Sequence, residues 1–501
     1  MSGLMLLQRA RVVPLDVVPR GPGAASDPVD VLIEDGIITR IAPRVAPPPG
    51  APVLDGDGRW LIPGLWDAHV HLGQWALASR RLDLSRTSSP DDVLALVARA
   101  ALGNPGRPVV GTGQRAGTWA RQVTVAELDA VCAEVPVVLI NSDFHHGWLN
   151  TAALDALGLA RRDGMVAEAE WFAAYPRVAG LEGHATPADY RGVLGEAAAK
   201  GVAGLVDFEF GAPWSDWAQR WHQGCDLLRV RWSPYAGQLA AGLSSGAPLS
   251  TGSALSTGSA LPGADERLTV GSLKIISDGS LGTRTAWCCE PYADTGGYGA
   301  PNLSGEELGG LLAEGRRMGL SVATHAIGDR ALEAALAAYA ATGASGSIEH
   351  AQLTTSHAIT EMARLGLVAS VQPGHLLDDH ETTDRVWADR AERCFTFRSM
   401  LDHGVDIALG SDAPVAPLDP WLAIATAVHR GQPGDEPWHP EQAITVAEAI
   451  AASTGGSRIA VGQPGDLALL DSDPLAGDAA ALRAMHVALT CVAGNAVHSD
   501  M

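Results

Sequence analysis

Across its middle the chain alternates short apolar runs with alanine-rich runs of helical spacing, a pattern that few folds satisfy. The strand-like runs are "PVVGTG", "PVVLINSD", "AGLVDFEF", "LLRVRWSPY", "SLKIISDG", "SVATHAIGD", "GSIEHA", "LVASVQP" and "DIALGSD". Between them stand helical runs such as "DYRGVLGEAAAKG", "SGEELGGLLAEGRRMG" and "DRALEAALAAYAATG", many ending in the glycine that helix C-termini favour. Strand followed by helix, repeated, implies a parallel sheet in an α/β fold, and this many units predicts a (β/α)8 TIM barrel from about 65 to 450. Residues from about 75 to 190 exceed what one strand–helix unit needs, which predicts an insertion there.

The two ends read differently. "DVLIEDGIITRIAP" alternates with period two around "EDG", the signature of a hairpin, and "GDLALLDSD" with "HVALTCVAGNAVH" returns to that style at the C-terminus. Segments 1–64 and 451–501 are therefore expected to form a small β-sandwich. The hexapeptide "STGSAL" occurs twice, at 250–255 and 256–261, and its composition predicts a flexible surface loop.

A formal charge of −22 argues against nucleic acid or an anionic membrane surface as a partner. No uncharged run reaches the roughly 18 apolar residues of a membrane span. The six cysteines, Cys132, Cys225, Cys288, Cys289, Cys394 and Cys491, make no CxxC pair and no disulfide framework. A soluble cytoplasmic protein is expected, and a homodimer is compatible with that.

The chemistry gathers at the ends of the strand-like runs. His69 and His71 in "DAHVHLG" stand two apart, so on a strand both imidazoles point to one face. His325 closes "SVATH", His350 closes "SIEH" and Asp412 closes "IALGSD", where the barrel fold assembles its active sites. Imidazole and carboxylate suit zinc and similar divalent ions. Lys274, beside an Ile-Ile pair in "SLKIISDG", raises a conflict, because a buried ammonium must be paired, exposed or deprotonated. Taken singly, each residue also fits a plainer role: a hydrogen-bonded core histidine, a helix-capping aspartate or a snorkelling lysine.

The segments "GLWDAHVHLG", "HHGWLNTAALDALGL", "KIISDGSLGTRTA", "THAIGDRALEAAL", "IEHAQL", "VQPGH" and "ALGSDAPVAPLDPWLAIATAV" resemble the amidohydrolase superfamily. Within it they are similar to the amidohydrolase-3 group that includes N-substituted formamide deformylases. The resemblance runs in order over nearly the whole chain. It implies a metal-dependent hydrolase of a non-peptide C–N bond, amide or formamide-like, acting on a small molecule.

By the same resemblance, Lys274 is carboxylated by CO2 and bridges two metals, so that an anion replaces the costly cation. His69 and His71 with Asp412 would hold the more buried metal, and His325 and His350 the more exposed one. Zinc is the expected metal, with manganese, iron or cobalt permitted. Asp412 would pass the proton from the attacking water to the departing amine. His146 in "DFHHGWLN" and Arg284 in "SLGTRTA" match positions that would contact substrate or an oxyanion, with a salt bridge for Arg284 and loop packing for His146 as the alternatives. An unmodified Lys274 paired with Asp278 or Asp412 is the alternative. With it go a mononuclear cyclic-amide hydrolase or deaminase, or a silent ligand-binding barrel. "LLDDHETTD", with His380, reads as a solvated loop, and Cys288 and Cys289 as packing. Trp66, Trp75, Trp119 and Trp148 are candidates to line an apolar pocket, which would favour a bulky or aromatic substrate.

Overall fold

The computed structural model describes residues 4–501 apart from 16–26, 85, 115, 117–118, 120, 142–145, 212 and 239–255. It is an α/β protein whose chain separates into two compact units, Met1–Trp75 with Tyr190–Met501, and Ala76–Asp189.

In the larger unit, strands Leu65–Val70, Val202–Asp207, Arg229–Trp232 and Leu268–Val270 form one parallel sheet. Leu273–Ile276, Val322–Ala326, Gly346–His350, Val368–Val371 and Ile407–Leu409 form another. Single parallel bridges, Val70 to Ala413 and Tyr235 to Lys274, join the margins of the two sheets. Helices follow the strands. Gly305–Arg317 starts on a capping box between Ser304 and Glu307, while Asp329–Thr342 and Ser356–Leu365 end at Gly343 and Gly366 in the left-handed conformation that glycine adopts without strain.

The terminal segments meet in one eight-stranded sheet. Its order runs Asn495–Ser499, Val487–Val492, Leu467–Leu470, Trp60–Pro63, Met5–Val12, Val29–Glu34 and Ile37–Ala42, with Val53–Asp55 on Met5–Val12. The expected hairpin is present: Asp35 and Gly36 both take positive φ, 50° and 78°, as a two-residue turn matching strand twist requires.

The smaller unit explains why two of the strand-like runs misled. Val109–Gln114 and Val137–Asn141, from "PVVGTG" and "PVVLINSD", lie in a separate five-stranded sheet with Leu82–Asp83, His146–Leu149 and Val166–Ala167. Along Val137–Asn141 successive side chains enter different clusters: Val138 and Ile140 meet Leu149, Leu154 and Trp171, whereas Val137 and Leu139 meet Val93, Leu128 and Trp148. A strand buried on both faces is apolar throughout, and its sequence does not say which sheet it joins.

Two expectations about loops are corrected. The first "STGSAL" copy lies outside the described residues, but the second is packed. Gly258 donates to Val270 O, Val270 to Ser259 O and Leu261 to Leu268 O, and Leu261 is 1% exposed. "LLDDHETTD" belongs to a helix, Leu376–Val386, whose Leu376, Thr383 and Val386 are buried. No helix among the described residues is long and apolar enough to cross a membrane.

Candidate metal centre

The strand Leu65–Val70 carries His69, and His71 follows one residue past its end. Asp412 N donates to His69 O at 2.7 Å and His71 N to Ala413 O at 2.9 Å, so backbone pairing holds the two histidines against Asp412. Behind them the buried Asp67 accepts from His69 N at 3.0 Å and Ser411 N at 2.9 Å, tying both segments together; burial pushes its carboxyl up to about 6.

The Nε2 atoms of His69 and His71 lie 3.4 and 3.3 Å from Asp412 Oδ1. Ligand atoms of His69, His350 and Asp412 all fall within 4.8 Å of one another. The His325 and His350 rings meet edge to face at 4.5 Å, and His350 is 5.2 Å from His69. Lys274 Nζ is 3.2 Å from His69 Nε2 and 4.1 Å from the centre of the Phe208 ring. The structure therefore brings together all six residues expected at the metal site. It does not pair Lys274 with Asp278 or Asp412: among the described residues no carboxylate lies within ion-pair distance of Nζ.

The protonation states suit ligation. Burial, then the Lys274 charge, lowers His69 to about 4, and burial with His325 holds His350 well below the usual range, so both imidazoles are neutral. Burial alone would raise Asp412, but His69, His71 and His350 outweigh it and keep the carboxylate ionised. Burial also lowers Lys274, to about 8. His71 Nδ1 and His350 Nδ1 are buried without a hydrogen-bond partner. His350, Ala351 and Asp412 take positive φ of 71°, 43° and 56°, strain that non-glycine residues carry chiefly at functional sites.

Three further groups join the site: Glu349 and His375, which the sequence reading did not name, and Asp278, which it named only as a partner for Lys274. Glu349, 1% exposed, accepts from His69 Nδ1 at 2.7 Å. Asp278 takes His325 Nδ1 at 3.0 Å and the amides of Trp287, Ile327 and Gly328. His375, from "VQPGH", stacks 5.9 Å from His350 with its Nε2 3.7 Å from Asp412 Oδ2. Glu349 could have been suspected from its place before His350, whereas Asp278, expected beside Lys274, holds His325 instead.

The five histidines, Lys274, Asp278 and Asp412 line a cavity of about 650 Å3, whose wall also includes Phe210, Leu281, Asp378, Asp379 and Val415. Arg284 is not in that wall; its guanidinium is held by Asp294 at 2.9 Å and by the carbonyls of Leu281 and Gly282. His146 lies in the smaller unit, on the strand His146–Leu149 opposite Ala167. None of the four suspected tryptophans lines the cavity: Trp66 packs on Gly204 and Gly455 under Arg231, and Trp119 and Trp148 pack edge to face at 6.0 Å.

Such a cluster of histidines and an aspartate around a buried lysine is what a metal-dependent hydrolase carries. The chain belongs to the amidohydrolase family, whose model matches residues 52–498. It is 29% identical over 428 residues to Protein LONG AFTER FAR-RED 3 of Arabidopsis thaliana, covering 79% of this chain and 73% of that one. It is 28% identical over 529 residues to N-substituted formamide deformylase of Arthrobacter pascens, covering 93% and 94%. The crystal structure of an uncharacterized metal-dependent hydrolase from Pyrococcus furiosus has the same fold, with a TM-score of 0.73 at 23% identity over 94% of this chain and all of that one.

Proposed function

We propose that the protein hydrolyses a non-peptide C–N bond, of an amide or formamide-like small molecule, at a divalent metal centre held by His69, His71, Lys274, His325, His350 and Asp412. The observation that carries this reading is the convergence of neutral imidazoles and an ionised carboxylate within 4.8 Å on one cavity wall. Similarity to N-substituted formamide deformylase along 94% of that enzyme's length supports the bond type.

A divalent ion held there would polarise the substrate carbonyl and lower the pKa of a water molecule. Asp412 is the group that takes the proton: Oδ1 faces His69 and His71, while Oδ2, toward His375, is open to receive it and return it to the leaving amine. Glu349 and Asp278 fix the His69 and His325 rings with Nδ1 turned away from the centre, leaving each Nε2 for ligation.

Carboxylation of Lys274 belongs to the same reading. Its amine nitrogen would attack CO2 and lose a proton, forming an anionic carbamate, and a neutral amine is what burial favours at Nζ. Zinc is the metal we favour, on ligand type. The bridges Val70 to Ala413 and Tyr235 to Lys274 support closing the two parallel sheets into a (β/α)8 barrel, with Leu268–Val270 and Leu273–Ile276 as one interrupted strand. One cluster shared by Leu7, Val31, Leu467 and Leu489 supports folding the terminal sheet into a β-sandwich.

The test is hydrolysis of a panel of N-formyl, N-acyl and cyclic amides with and without chelator. Turnover that chelator abolishes and zinc restores is expected; chelator-resistant turnover, or none with any amide, overturns the reading.

A further inference from the structure

The floor of the cavity is spent on the centre, so its outer wall is left to choose the substrate. Lys274 sits on His69, Asp278 is consumed by His325 and three amides, and Asp412 faces His69 and His71. Among the described residues lining the cavity, no arginine occurs and Lys274 is the sole lysine. Asp378, exposed, and Asp379, which accepts from Gln352 Nε2 at 2.9 Å, therefore line the cavity with no arginine and no second lysine in its described wall.

The same wall is apolar where it is most open. Phe210 is 50% exposed and Val415 64% exposed, beside Pro414 and Leu281, and Phe210 stacks on His71 at 4.9 Å with its other neighbour Tyr235 at 5.2 Å. Exposed apolar side chains gathered at a cavity mouth, rather than scattered singly, mark a place where an apolar group docks. His375 adds a third sign of a ligand. Its side chain is 10% exposed, it lines the cavity, and its Nε2 has no hydrogen-bond partner, which a buried polar atom normally obtains.

Resting on the reading of this cavity as the amide-hydrolysing site, we infer that the substrate is an amide whose substituent is apolar and carries no carboxylate. The substituent lies against Phe210 and Val415, the amide group meets His375 Nε2, and Asp378 and Asp379 reject an anion at that position. Repulsion of this kind excludes wrong substrates without tightening the right one.

The test compares N-(2-phenylethyl)formamide with N-formylphenylalanine, which differ only by a carboxylate on the carbon bearing nitrogen. Measured as kcat/KM on the metal-loaded protein, the neutral compound is expected to lead by tenfold or more. Asp378→Asn is expected to narrow that lead at least threefold, mainly through the KM of the acid. Equal turnover, or faster turnover of the acid, overturns the inference, and an unchanged lead in Asp378→Asn removes Asp378 from it. Calorimetric binding of the two compounds reads the same preference whether or not the C–N bond breaks. Tighter binding of the neutral compound without hydrolysis of either would uphold the inference and count against the hydrolase reading alone; equal or tighter binding of the acid would overturn it.

Discussion

Replacing Glu349 separates the positioning of a ligand from its presence. Glu349 and His69 are each 1% exposed and meet at 2.7 Å, so their hydrogen bond is charge-assisted and shielded from water. Burial alone would raise the Glu349 carboxyl, but His69 and Lys274 outweigh it and keep it ionised. A charge-assisted bond contributes about 1.5–3 kcal/mol and a neutral one about 0.5–1.5, so Glu349→Gln forfeits about 1–1.5 kcal/mol of the preference for Nε2 ligation. At 1.4 kcal/mol per decade this weakens metal binding about tenfold, the lower end of what partners of metal-bound histidines contribute. Glu349→Ala also leaves His69 Nδ1 and the Ser347 hydroxyl without their acceptor, and weakens binding further, to about 100-fold. Competition against a chromophoric chelator measures the affinity, and circular dichroism checks that the fold persists. Metal affinity of Glu349→Gln within twofold of the parent would refute the positioning role.

Three further outcomes follow from burial. His69 is lowered from 6.5 to about 4, so as pH falls below 6.5 the unfolded chain takes up a proton that the metal-free fold refuses; stability drops by about 3 kcal/mol, levelling off below about pH 4, in urea melts run across that window. Lys274 is lowered from 10.5 to about 8, a cost of about 3 kcal/mol at pH 7, where folded and unfolded chains both carry the charge; Lys274→Met is expected to stabilise the metal-free protein by about 2–3 kcal/mol while weakening metal binding at least about tenfold, and destabilisation would contradict the cost assigned to burial. Leu261, 1% exposed in the second hexapeptide copy, is expected to cost about 2–3 kcal/mol on Leu261→Ala, whereas a mobile loop would give about zero in the same melts.

The candidate ligands were legible because strand ends are legible: an apolar run that stops at a histidine names both the element and the side chain. What surrounds them was not. Glu349 and His350 are neighbours on one strand and should face opposite ways, yet Glu349 bonds His69 while the His350 ring stands 5.2 Å from it. The left-handed backbone at His350, φ 71°, accompanies this departure, and nothing in the letters "IEH" announces a non-glycine residue in that conformation. Asp412 departs likewise, three residues beyond Leu409 at φ 56°. Lys274 is second in Leu273–Ile276 and not at its end, so only its burial conflict, visible in the sequence, singled it out. The helix at Leu376–Val386 was missed because its polar face dominates the composition, and with it went the acidic part of the cavity wall.

The direct test of the metal-dependent reading is metal content per chain, by elemental mass spectrometry on protein purified without chelators or a histidine tag and then saturated with zinc and bicarbonate. About two equivalents are predicted, falling when Lys274 is replaced, as a carbamate-bridged pair requires. One equivalent or fewer in the saturated protein would contradict the binuclear centre, and none at all would contradict the metal site itself.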